Sequence, residues 1–123
     1  MTTTKIQTKF NTWIDFSFSS EQLPDNVIGY YFAVYPTTRK KWVVTLLGNS
    51  KIYPDQEPWF VATPFRPKKT FTLGDFVNIE NPVDILRELL RSYLMIEKYK
   101  DSYLVKAQAI AIGPIPGDLE FIK

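Results

Sequence analysis

The chain contains no cysteine and no histidine. The first absence removes disulfides, thiolate metal sites and a cysteine nucleophile. The second removes the usual general base, the commonest zinc ligand and every Ser-His-Asp or Cys-His arrangement. An enzyme here would have to work with carboxylates, lysine, tyrosine or Mg²⁺ held by Asp and Glu. The expectation is therefore a protein that is not an enzyme and uses no cofactor or metal. Glycine is scarce as well: the five glycines are isolated, with no P-loop and no G-x-G-x-x-G to cradle a phosphate. Long apolar runs are missing, so no membrane-spanning helix is expected. Met1–Lys9 is polar and threonine-rich, without the apolar core of a signal peptide, and the expected location is cytoplasmic.

What is present fits one folded domain over residues 1–123, since 45% apolar and 23% charged residues are ordinary for a globule. Aromatic residues are plentiful, with 3 Trp, 7 Tyr and 9 Phe, and they favour strands and interfaces alike. Fifteen basic and 13 acidic side chains give a net charge of +2, too balanced to indicate nucleic acid from charge alone.

The clearest element is NPVDILRELLRSYLMIEKYK, Asn81–Lys100. Asn81 suits an N-cap, Pro82 the first helical position and Asp84 the positive end of the dipole. Leu86, Leu89, Leu90, Tyr93 and Leu94 recur at helical spacing, which predicts one long amphipathic helix over about residues 82–100. The remainder reads as strands. Phe10–Ser19 alternates, with Phe10, Thr12, Ile14, Phe16 and Phe18 on one side and Trp13, Asp15 and Ser17 on the other. Gly29–Tyr35 and Lys41–Leu47 form a hairpin, Trp59–Thr63 a fourth strand, and Thr70–Leu73 a fifth before a turn or bulge at Gly74-Asp75. Tyr103–Ile112 alternates again, its alanines at 107, 109 and 111 forming a row of small side chains for the helix to lie against. A turn at Pro116-Gly117 leads into a short final strand over Leu119–Ile122. The fold class is then α+β, a mainly antiparallel sheet of about six to seven strands with the helix packed on one face.

Charge is concentrated in two places, Arg39-Lys40-Lys41 and Arg66-Pro67-Lys68-Lys69. In an up-and-down meander both loops emerge at the same end of the sheet, next to Trp42, with Tyr53 and Trp59 as further aromatic anchors. Such an end suits an acidic protein surface, or single-stranded nucleic acid held by phosphate contacts and stacking. Lysines that keep strand ends soluble would look the same. The carboxylates are scattered at no motif spacing, and Asp15 reads as an exposed residue on the polar side of its strand. Aromatic residues exceed what one core face needs, so the second sheet face is either a partner surface, a homodimer interface or ligand groove included, or is covered by loops and the N-terminus.

The short domain without histidine or cysteine, the strands GYYFAVY and KWVVTLL, and the tail AIAIGPIPGDLEFIK together resemble the small immunity proteins of bacterial polymorphic-toxin and contact-dependent inhibition systems. The resemblance implies an intracellular protein that binds one toxin tightly and blocks its active site. It covers the whole chain in style and rests on no motif, so it assigns no residue a role. Many such proteins are acidic, and this chain departs from them in being slightly basic. Three readings result: a protein-binding module acting through Arg39, Lys40, Lys41, Arg66, Lys68, Lys69, Trp42, Tyr53 and Trp59; a single-stranded nucleic-acid binder using the same residues; and, ranked last for want of histidine and cysteine, a carboxylate enzyme or a small-molecule sensor with a groove between sheet and loop.

Overall fold

The segment Gly29–Pro36 (β1) is apolar along nearly its whole length, and such a strand is stable only with both faces covered and both edges paired. The computed structural model, which describes residues 4–50, 64–75, 79–96, 102–114 and 120–122, gives it that place. The other strands are Lys41–Asn49 (β2), Phe71–Asp75 (β3), Ala109–Pro114 (β4) and Glu120–Phe121 (β5). They form a five-stranded sheet in the order β3-β2-β1-β4-β5, with β1 at its centre. The helices are Thr4–Ser20 (α1), Pro82–Met95 (α2) and the single turn Tyr103–Lys106 (α3).

The α+β class stands, but the sheet is mixed rather than a meander. The β1–β2, β2–β3 and β4–β5 pairs are antiparallel, whereas β4 runs parallel to β1, with Tyr30 opposite Ile110 and Phe32 opposite Ile112. A parallel neighbour requires a crossover, and α2 supplies it by carrying the chain from the β3 edge back across the sheet. Five strands are found among the described residues. The expected strand Trp59–Thr63 lies outside them, as does the Pro116-Gly117 turn. The bulge expected at Gly74 is present: Thr72 faces Val43 and Gly74 faces Trp42, leaving Leu73 as the extra residue, and Gly74 has φ +153°.

Residues 10–19 are helical, not a strand. Phe10, Trp13, Ile14 and Ser17 are all buried, a stripe at three- and four-residue spacing, while Thr12 and Phe16 from the supposed apolar side are exposed. The alternation was real but shorter in reach than the helical stripe, which burial against the sheet selected. Ser17 is tolerated inside because its hydroxyl donates to the Trp13 carbonyl at 2.8 Å, and the Trp13 indole N–H donates to the Lys69 carbonyl at 2.9 Å. Asp15 is exposed, as expected, and accepts from the Tyr93 hydroxyl at 3.3 Å.

The N-cap and first turn of α2 are as read from the sequence: Asn81 Oδ1 accepts from the Asp84 amide at 3.4 Å, and Pro82 follows. The helix stops at Met95, short of the expected end near residue 100, because Ile96 turns to extended backbone (φ −75°, ψ 123°) as its C-cap; residues 97–100 lie outside the described residues. A strand was also expected from Tyr103. Instead Ser102 caps α3, its hydroxyl accepting from the Val105 amide at 3.3 Å, and β4 starts only at Ala109.

Both long helices pack on one face. Phe10, Trp13 and Ile14 of α1 and Leu86, Leu89, Leu90 and Tyr93 of α2 meet Tyr30, Phe32, Val34, Val44, Leu46, Ile110 and Ile112 in a single core. The expected alanine row is split: Ala107 precedes β4 and packs with the helix-side core, while Ala111 faces away. Ala111 packs with Tyr31 and Ala33 on the face away from the helices, and the helices rest on the isoleucines. The N-terminal segment likewise joins α2 instead of covering the second face. That face is not an exposed aromatic surface at its centre, because Tyr31 is 1% exposed and its hydroxyl donates to the Gly113 carbonyl at 3.5 Å.

Candidate functional site

The register of β2 decides where the two basic clusters go. At its start Lys41 faces Asp75, so Arg39-Lys40-Lys41 sits at the β1–β2 hairpin. At its far end Gly48 bridges to Phe65, which places Arg66–Lys69 along the opposite part of the strand. Phe71 pairs with Val44, three residues or about 10 Å from Lys41, so residues 66–69 run beside β2 between Gly48 and Val44. The two clusters do not share one end of the sheet. The expectation rested on strand 59–63, which lies outside the described residues, and on a pure meander, which the parallel pairing of β1 and β4 replaces.

At the hairpin, Thr37 and Lys41 close the loop through the Thr37 amide and Lys41 carbonyl at 2.9 Å, and the Lys40 amide donates to the Thr37 carbonyl at 3.0 Å. Lys40 has φ +60°, the left-handed position that follows a type I turn in such hairpins. Lys41 pairs with Asp75 at 3.6 Å, both about half exposed, a contact worth little in water. Arg39 and Lys40 are exposed. Trp42 is half-buried against the core and its indole N–H donates to the Ile79 carbonyl at 3.2 Å, so its polar edge is already used. Tyr53 and Trp59 lie outside the described residues.

The second cluster is built more firmly. Phe65 is buried and stacks on Phe18 of α1 at 5.5 Å. The Lys68 amide donates to the Glu21 carboxylate at 2.6 Å, and the Lys69 carbonyl holds the Trp13 indole. With the backbone pinned to α1 at both residues, the side chains project outward. The Lys69 ammonium lies 5.0 Å above the ring of Phe16, a cation–π contact on a phenylalanine that is 46% exposed. Phe16, Ser20, Glu21, Lys68 and Lys69 line an open hollow of about 480 Å³. Phe16 and Glu21 were missed in the sequence reading because the strand assignment put Phe16 inside. The signal was there: Phe16 falls outside the stripe Phe10, Trp13, Ile14, Ser17.

Among the described residues no group of three or more acidic side chains is placed to hold a metal ion, and no helix is long and apolar enough to cross a membrane. The strongest ion pair is elsewhere, between Arg87 of α2 and Glu120 of β5. Its hydrogen bonds hold the Glu120 carboxyl below its ordinary range and push the Arg87 guanidinium up. It ties an edge strand to a helix. No protein-family model matches the chain, and no match is found among curated proteins or solved structures.

Proposed function

We propose that this domain is a protein-binding module that docks an acidic partner on the surface formed by Phe16, Lys68 and Lys69, with Arg66 on the same segment. The supporting observation is the Lys69 ammonium held over an exposed Phe16 ring by a backbone already anchored to α1. An exposed aromatic flanked by lysines on a rigid support is the composition of an interface anchor, and little ordering entropy remains to be lost on binding. Neutralising a toxin with an acidic surface, as the immunity-protein resemblance implies, is one function such a module serves.

The single-stranded nucleic-acid reading is less well supported. It needs a continuous basic track with free aromatic faces, whereas the hairpin cluster lies at one end of β2, the second cluster lies beside its far half, and Trp42 is half-buried. A tagged copy expressed in its own host tests both. Stoichiometric capture of one protein, lost in Lys68→Glu/Lys69→Glu and in Phe16→Ala but kept in Arg39→Glu/Lys40→Glu, supports the proposed surface. Equal capture by all variants overturns it, and nucleic acid released steeply by salt would favour the alternative.

A further inference from the structure

At the end of the sheet where β1 begins, the α1–β1 loop and α3 enclose a cleft of about 320 Å³. That is the lower end of the range for small-molecule sites. Its apolar wall comes from Leu23 and Val27, its rim carries Asp25 and Lys106, and Tyr30 and Tyr103 complete the lining. Tyr30 stands out. The residue is only 3% exposed, and its hydroxyl has no hydrogen-bond partner among the described residues. The ring is buried but the hydroxyl opens into the cleft, whereas the hydroxyls of the other two buried tyrosines are engaged within the protein: Tyr31 donates to Gly113 and Tyr93 to Asp15. Burial, with the neighbouring Tyr103 phenol adding to it, pushes the Tyr30 phenol well up, so it stays protonated and able to donate. The wall is stiff, because Phe18 packs edge-on against Tyr30 at 5.4 Å and against Tyr103 at 5.1 Å.

We infer that this cleft binds a small zwitterion with an apolar side chain, of the class of a free aromatic amino acid. The Tyr30 hydroxyl and Lys106 ammonium would receive the carboxylate, Asp25 the ammonium, and Leu23, Val27 and the Tyr103 ring the side chain. Opposite charges on the rim exclude a simple anion or cation as the best fit, since either would leave one rim charge unmatched. The site is separate from the Phe16–Lys69 surface and does not depend on it.

The test is an amide NMR titration of the full chain with L-phenylalanine, 3-phenylpropionate and phenethylamine. The amides of Ile28 and Gln108 should shift with L-phenylalanine, and the two analogues, each lacking one charge, should bind at least about tenfold more weakly. Tyr30→Phe should weaken phenylalanine about fivefold while leaving the thermal midpoint near wild type, because the hydroxyl makes no hydrogen bond within the described residues. Lys106→Gln, at an exposed position, gives the same answer without touching the core. Lys68→Glu/Lys69→Glu should bind phenylalanine normally even where partner capture is lost. Absence of shifts at about 10 mM, a range where even very weak binding registers, overturns the inference. Equal binding of the three probes, or no effect of both Tyr30→Phe and Lys106→Gln, overturns it too.

Discussion

Arg87 holds Glu120 by both prongs of its guanidinium, Nε to Oε2 at 2.6 Å and Nη2 to Oε1 at 2.7 Å, and its remaining Nη1 reaches Asp84 at 2.7 Å. The two-residue strand β5 thereby gains a tether to α2 that its short ladder with β4 cannot supply.

Glu120→Gln should lower stability by less than about 1 kcal/mol, because Glu120 is 39% exposed and solvent screens the pair. Its pH signature is the sharper measurement. The carboxyl titrates lower when folded, so below the ordinary carboxylate range the unfolded chain binds more protons. The contribution is full above that range and is lost as pH falls through the folded value. Denaturant midpoints measured from pH 7 downward should converge for wild type and variant in acid. A gap that persists at low pH would show that the pair acts through packing instead of charge.

Phe10→Ala should cost about 3–5 kcal/mol, the usual toll for emptying a fully buried phenylalanine site, and Phe16→Ala less than about 0.5 kcal/mol. In a strand the two rings would share a face and behave alike. Chemical denaturation of both variants thus reads the helical phase of α1 directly, and equal losses would contradict it.

Lys40→Gly should stabilise the hairpin by about 0.5–1 kcal/mol, since lysine at φ +60° bears a steric cost that glycine does not. A raised thermal midpoint checks this. A lowered one would mean that the Lys40 side chain contributes more than its backbone strain removes.

Gly48→Ala should destabilise by about 1–3 kcal/mol. A Cβ there would lie 2.8 Å from Phe65 Cβ and 3.1 Å from Val27 Cγ1, and Phe65 cannot retreat while its amide and carbonyl bridge to Gly48. The variant should also loosen the segment that carries Lys68 and Lys69. A thermal midpoint equal to wild type would show that the bridge yields easily.

Asn81, Pro82 and the leucine stripe determined α2 from sequence alone, because caps and helical period are local properties. The hairpin at Pro36–Lys41 and the bulge at Gly74 were equally local, set by turn chemistry and short links, and a short closing strand is found at residues 120–121 within its expected range. Residues 10–19 satisfied two periods at once, and only the sheet they pack on chose between them: a helix buries Trp13 and satisfies its indole N–H on Lys69, a contact 56 residues away. The insertion of β4 beside β1 was beyond local reach as well, since nothing in AIAIGP specifies which edge it pairs with. That choice separates the isoleucine face from the alanine face. The candidate surface followed the same division. The lysines of residues 66–69 were visible as charge in the sequence, but Phe16 beneath Lys69 and the unpartnered hydroxyl of Tyr30 exist only after α1 and α3 have docked, because both arise from contacts distant in the chain.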